Sequence, residues 1–329
     1  MIELTKEMLE REPLDFRDAV FNTVEAIIAK DQNAVILTND MGALGLDKIS
    51  KFAPDRVINV GITEQNMVGV AAGLALSGKT VFVYGILSHV VFRALEQIKL
   101  DVCVQNLPVI FIGVGSGLAY GVDGPTHQGV EDIAVLRALP NMTIFNPCDV
   151  YSASYAIKQS YERQSPCFIR VDKENLPQLY SIKDDLGVGL LTHSADRQAL
   201  NKEGRGVIIS SGMLVWSALK AKEMLSSNGI ECIVIDVFCI KPLNVNLLQE
   251  LTKNLTWIVV VEEAMNPSCL GELIARQILP KNRSIEEYIT MNLGDSYLLG
   301  SAKREWAWEK FGLTSEAIAK VILEGSAKL

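Results

Sequence analysis

Along the first half of the chain, short β-branched runs alternate with longer stretches of helical periodicity. Ala34–Thr38, Val57–Val60, Thr80–Tyr84, Val109–Gly113, Thr143–Asn146 and Phe168–Val171 read as strands. Phe16–Lys30, Glu64–Ser77, His89–Val104 and Val150–Gln164 read as helices. Strands apolar on both faces and separated by helices predict a parallel sheet covered on each side. From Asp172 to about Arg205 the pattern breaks, and Pro177, Gly187, Gly189 and Gly204 give this stretch the composition of a connection. A second alternating series follows, with strands at Gly206–Ser210, Glu231–Val237 and Trp257–Glu262. Its helices are Val215–Asn228, Val245–Asn254, Leu270–Leu279 and Ser315–Leu323. The expected fold class is α/β, with two domains, residues 1–190 and 191–329, each built on a mainly parallel sheet flanked by helices. No internal repeat of 20–50 residues relates the two halves.

Composition narrows this picture. The 329 residues are 49% apolar and 21% charged, which excludes a disordered or disulfide-stapled chain. With 31 basic against 39 acidic residues the formal charge is −8, unfavourable for a nucleic-acid partner. No uninterrupted apolar run reaches the ~18–20 residues of a membrane span, and the first fifteen residues lack the apolar core of a secretory signal. The six cysteines form no C-x-x-C pair and have no histidine at metal-ligand spacing, so a soluble cytoplasmic protein without a metal site of its own is expected.

Two segments carry candidate chemistry. In Val57–Met67 a strand ends at Gly61, and after a tight turn a helix opens with Glu64. Carboxyl ends of parallel strands are where open α/β sheets bind ligands. The plain alternative is that Thr63 caps the helix and Glu64 complements its dipole. Gly69, Ala71, Ala72, Gly73 and Ala75 leave that helix small-sided, so a close neighbour is expected. In the second segment, Gly121–Gly129, glycines and a proline constrain a loop that presents Asp123, Thr126, His127 and Gln128. The plain alternative there is a turn with His127 on the surface. No G-x-G-x-x-G, phosphate loop, G-x-S-x-G or H-E-x-x-H pattern occurs, which argues against nicotinamide binding, acyl hydrolysis and zinc hydrolysis.

Together the segments resemble the thiamin-diphosphate enzymes of the transketolase superfamily. Gly61-Ile62-Thr63-Glu64-Gln65-Asn66-Met67 resembles the family's glutamate motif, and Asp123-Gly124-Pro125-Thr126-His127-Gln128 is nearly verbatim its substrate loop. Arg93–Ile98, Arg137–Met142, Asn292–Asp295 and Phe311–Thr314 resemble further family segments in the same order. The likeness covers the pyrimidine-binding and C-terminal domains. The Gly-Asp-Gly motif by which the family's remaining domain holds the diphosphate through a metal is not found. The resemblance therefore implies one subunit of a split transketolase. An N-terminal partner subunit would carry the diphosphate-binding domain and most contacts to Mg²⁺ or another divalent ion, in an α2β2 assembly around a homodimer of this chain.

The resemblance also implies roles. Glu64 would bond N1′ of the thiamin diphosphate pyrimidine and so activate the thiazolium carbon that attacks a ketone carbonyl. His127 and Asp123 would meet hydroxyl groups of a small sugar substrate. Arg17 and Lys173 fall roughly where the family places cations for the acceptor's phosphate. The usual residue at the second position is Arg, whose fork Lys lacks, and Gly115 stands where a phosphate-contacting His would be. Ile86, His89 and Phe92 occupy the positions of the aromatic platform for the pyrimidine, of which Phe92 alone is plainly aromatic, so either fewer groups stack or His89 stacks. The implied reaction is transfer of a two-carbon ketol unit between sugars or sugar derivatives. The alternatives are an acyl-forming subunit like 1-deoxyxylulose-5-phosphate synthase or a 2-oxo acid dehydrogenase β chain, and a non-catalytic interaction subunit. The C-terminal domain is expected to serve packing and subunit association.

Overall fold

A computed structural model describes residues 16–174, 178–182, 184, 186, 189, 191–192, 206–266 and 269–326. The boundary expected near residue 190 and the first fifteen residues lie outside this set. The first sheet contains β1 (Ala34–Thr38), β2 (Val57–Asn59), β3 (Thr80–Ile86), β4 (Val109–Val114), β5 (Thr143–Phe145) and β6 (Cys167–Val171). The second contains β7 (Leu191–Thr192), β8 (Gly206–Ser210), β9 (Cys232–Asp236), β11 (Trp257–Val261) and β12 (Glu287–Met291). The strand between β9 and β11, β10 (Cys239–Lys241), crosses over and pairs antiparallel with β5 on the edge of the first sheet.

The resulting orders are β10-β5-β6-β4-β3-β1-β2 and β12-β11-β8-β9-β7, parallel throughout except for β10 and β7. Helices α1 (Phe16–Lys30), α2 (Leu44–Phe52), α3 (Glu64–Leu76), α4 (Leu87–Arg93), α5 (Asp132–Arg137) and α6 (Val150–Arg163) serve the first sheet. The second half contributes α7 (Leu214–Ser227), α8 (Val245–Thr252), α9 (Leu270–Ile278), α10 (Arg304–Phe311) and α11 (Ser315–Ser326).

Alternation along the strands divides the first domain's interior. Val35, Leu37, Val81 and Val83 face one core, while Ala34, Ile36, Phe82 and Tyr84 face the other. The first of these cores runs on into Val207, Ile209, Ile233 and Ile235, so the two sheets share apolar contacts. Nearly every expected strand and helix is present within three residues. The exception is His89–Val104, which is not one helix. It breaks at Ala94 (φ −121°, ψ 20°), and a π turn at Ile98–Cys103 re-phases the chain so that Ile98 and Val102 remain in the core. Sequence periodicity also missed β7 and β10, too short to alternate, β12, a half-buried edge strand, and the short helices α2, α5 and α10.

Candidate functional site

In the first sheet β1 lies between β2 on one side and β3 on the other, so successive connections leave it in opposite directions. The crevice outside the carboxyl ends of strands at such a switch is the ligand site of open α/β sheets. Most residues singled out by sequence come from these ends: Glu64 after β2, Ile86, His89 and Phe92 at and after β3, Asp123 and His127 after β4, and Lys173 after β6.

Glu64 opens α3 yet is only 4% exposed. Thr63 does not cap this helix, because its hydroxyl donates to the Val60 carbonyl instead (2.9 Å). The Glu64 carboxyl is held by side chains: Asn39 Nδ2, just past β1, donates to Oε1 at 3.0 Å, and Arg93 Nη1, ending α4, donates to the same oxygen at 2.8 Å. Among the described residues nothing bonds Oε2. Asn39 Oδ1 is buried and likewise unpartnered, against Gly85, where a Cβ would lie 2.8 Å from it.

Beside this group opens a cleft of about 510 Å³, lined by His89, Phe92, Arg93, Thr126, Tyr297 and Leu299 among others, a volume within the ordinary range for small ligands. His89 and Phe92 project from one face of α4, three residues apart. Ile86 is half-buried at the end of β3 and is not part of the lining. Burial, with Arg93 and His127 beside it, depresses the His89 imidazole below its usual range against weaker opposing effects of Glu64 and the Thr126 backbone. The ring is therefore neutral near pH 7 and able to stack. An aminopyrimidine needs a shielded carboxyl oxygen and walls of apolar or neutral ring character. Glu64 Oε2, His89 and Phe92 provide that set, so the residues present fit the group.

The loop after β4 is closed at its stem by paired backbone bonds between Gly117 and Gly129 (2.8 and 2.9 Å). Ser88 Oγ, on α4, donates to the Thr126 carbonyl at 3.0 Å and ties the loop to the cleft wall. His127 is half-buried rather than a free surface residue. Its ring meets His89 edge-on at 4.7 Å and Tyr120 at 6.2 Å, and Nδ1 lies 2.9 Å from Thr126 Oγ1. That leaves Nε2 for a ligand. Lys173 places its ammonium 4.5 Å over the Tyr120 ring, so His89, His127, Tyr120 and Lys173 form one row. Tyr120 also fills the space that a side chain at Gly115 (φ +95°) would need. Asp123 is exposed at the end of a short helical turn, and Arg17 is half-buried in the first turn of α1.

Sequence reasoning gave the second half no place at the site, yet it supplies Tyr297 and Leu299. It also braces the loop through Gln128 Nε2 to the Leu298 carbonyl (3.2 Å) and Ala302 N to the Gly121 carbonyl (3.2 Å). Below Lys173, buried Arg304 bonds Asp172 Oδ2 at 2.8 Å and Glu263 Oε1 at 2.9 Å, joining β6, β11 and α10. Asn39 and the Arg304 cluster carried no local sequence signal. Arg93 did, as a charged residue directly after the apolar run Val90–Phe92.

Residues 12–178 match the family described as transketolase, pyrimidine binding domain, and residues 198–318 match transketolase, C-terminal domain. The chain is 31% identical to one of the subunits of apulose-4-phosphate transketolase from Phocaeicola vulgatus, over 94% of this chain and 96% of that one. It is 30% identical to 1-deoxy-D-xylulose-5-phosphate synthase of Caldanaerobacter subterraneus subsp. tengcongensis, over 94% of this chain but only 48% of that enzyme. Among solved structures, a split-gene transketolase described as an inactive β4 tetramer superposes with a TM-score of 0.81 at 26% identity, covering 94% of this chain and 98% of that one. The transketolase of Campylobacter jejuni shares the fold, with a TM-score of 0.77 at 19% identity over 97% of this chain and 50% of that one. Matched along both domains, and end to end by split-gene relatives, the chain belongs to the transketolase superfamily as its C-terminal, pyrimidine-binding subunit.

Proposed function

We propose that this chain, joined to an N-terminal partner subunit, forms a thiamin-diphosphate-dependent transketolase-like transferase that moves a two-carbon ketol unit between sugar or sugar-derivative substrates. The observation that carries the reading is Glu64: a shielded carboxyl at the switch point, with one oxygen fixed by Asn39 and Arg93, the other without a partner among the described residues, and Arg93 itself lining the neighbouring cleft. When bound, the cofactor supplies a nucleophilic carbon and an electron sink. Glu64 holds a proton at the ring nitrogen N1′, where exclusion of water strengthens the bond. His89 and Phe92 wall the ring. His127 offers Nε2 to an oxygen of the substrate near the reacting carbonyl, Asp123 accepts from a neighbouring hydroxyl, and Lys173 with Arg17 attracts an anionic group on the acceptor. Lys173 acts there as a point charge, without a bidentate grip.

The partner holds the diphosphate and its Mg²⁺. A homodimer of this chain at the centre of an α2β2 assembly fits the open face of α3, where Gly69 and Gly73 have nothing near them and Leu76 is exposed. The related β4 tetramer is described as inactive, in keeping with a need for the partner. Six buried cysteines, in no disulfide among the described residues, suit a reducing compartment, the cytoplasm.

The test is ketol transfer by the co-expressed complex with thiamin diphosphate and Mg²⁺. Glu64→Gln should lower turnover by about 10²–10⁴, the range for acid–base groups. Near-normal turnover in that variant would overturn the reading. Carbon dioxide release from pyruvate would instead favour the synthase-like alternative, and no cofactor binding in the complex would favour a non-catalytic subunit.

A further inference from the structure

Glu64 is unusual in how its two oxygens are used. Both of its side-chain donors, Asn39 Nδ2 at 3.0 Å and Arg93 Nη1 at 2.8 Å, converge on Oε1. The helix opening at Glu64 adds its own field but no side-chain cap, since the Thr63 hydroxyl is turned to Val60. A carboxyl attached at one oxygen by a single donor can rotate about its last bond. Two donors from different elements, one on the β1 exit and one on α4, fix its plane.

Arg93 differs from Asn39 in position. Asn39 is buried behind the carboxyl, whereas Arg93 is 47% exposed and is itself part of the cleft wall. It stands at the end of α4, immediately before the break at Ala94, where the helix no longer constrains its direction. The same short helix carries His89 and Phe92. One element therefore presents both the ring wall and the group that orients the carboxyl, and their relative placement is set by five residues of helix, His89 to Arg93, rather than by a long loop.

We propose that Arg93 is a positioning residue for Glu64: it holds Oε1 so that Oε2 alone stays free to meet a ring nitrogen of the bound heterocycle. This rests on the functional reading above. Arg93 acts through Glu64 and only on ligands that present that nitrogen. Its contribution is hydrogen-bond geometry at a fixed carboxyl, and it makes no bond to the substrate.

The test measures binding by calorimetry in the co-expressed complex, with two ligands, thiamin diphosphate and its analogue in which carbon replaces N1′. In the unaltered complex thiamin diphosphate should bind more tightly than the analogue. Arg93→Gln should weaken thiamin diphosphate at least tenfold and leave the analogue within twofold. Arg93→Lys, which keeps the charge but loses the fork, should fall between, and it carries the test if the Gln variant does not assemble. Glu64→Gln with Arg93→Gln should bind no more weakly than Glu64→Gln alone, because the two act as a unit. Equal weakening of both ligands would reveal a merely structural role and overturn the proposal, as would unchanged thiamin diphosphate binding in the Arg93 variants. If the unaltered complex bound neither ligand, the functional reading itself would fall. If it bound both equally, the Glu64–N1′ contact would fall, and the proposal with it.

Discussion

Replacing Arg304 by Met would leave two carboxylates buried without their cation. The Arg304 side chain is 5% exposed, Asp172 2% and Glu263 7%, and the guanidinium touches both. Removing one member of a buried ion pair costs about 3–5 kcal/mol, because the remaining charge stays desolvated. Here the residual partners moderate the loss. Asp172 keeps the Ser116 hydroxyl at 3.0 Å and the backbone N–H groups of Lys173 and Glu174, and Glu263 keeps the Trp308 indole at 2.7 Å. The half-exposed Glu174, 3.4 Å from the guanidinium, adds little. The expected loss is therefore about 3 kcal/mol, at the lower end of that range. Urea unfolding followed by tryptophan fluorescence should show a lower midpoint at an unchanged slope. The double variant Arg304→Met with Glu263→Gln should regain part of the loss, since one stranded charge goes while the indole keeps an acceptor. A loss below about 1 kcal/mol, the level of an exposed pair, would refute the reasoning.

Two further outcomes follow from buried groups and open faces. Burial raises the Asp236 carboxyl to about 7, against hydrogen bonds from Cys148 and Tyr180 and with Asp149 adding to the rise. Because the folded chain holds this proton more tightly than the unfolded one, its contribution is complete below about pH 4 and is lost as pH rises to about 7, at about 1.4 kcal/mol per pH unit. Thermal midpoints of Asp236→Asn should accordingly rise relative to the unaltered chain between pH 4.5 and 6.5. Glu262, also raised to about 7 by burial, titrates in both proteins and cancels in the difference. Parallel pH curves would contradict this. On α3, Gly73→Glu puts a charge on the open face and should shift the chain toward monomer in sedimentation velocity with little change in its unfolding midpoint; an unchanged oligomer would place the subunit contact elsewhere.

Most of the fold was legible because it rests on repeated local signals. Runs such as Ala34–Thr38 and Trp257–Val261 are apolar on both faces, and that is what a strand between two helical layers requires. Glu64 and the Asp123–His127 loop could be found because each joins unusual residue types over a few positions. Apart from the short helices α2, α5 and α10, what was missed is non-local. β10 is three residues with no period of their own, and they become a strand only because the β5 edge accepts them. Asn39 and Arg93 stand 25 and 29 positions from Glu64, on opposite sides of it in sequence, and meet because parallel strands stack their exits at one edge. Arg304 meets Asp172 across 132 positions.

The sequence by itself determined the layered α/β architecture, the carboxyl after β2 and the loop after β4, since side-chain periodicity and turn chemistry act over a few residues. Only the tertiary structure decided which oxygen of Glu64 is free, which half of the chain completes the cleft and what neutralises the charges beneath it. Those depend on distances between segments far apart along the chain, and burial makes each such distance count by removing the water that would otherwise screen it.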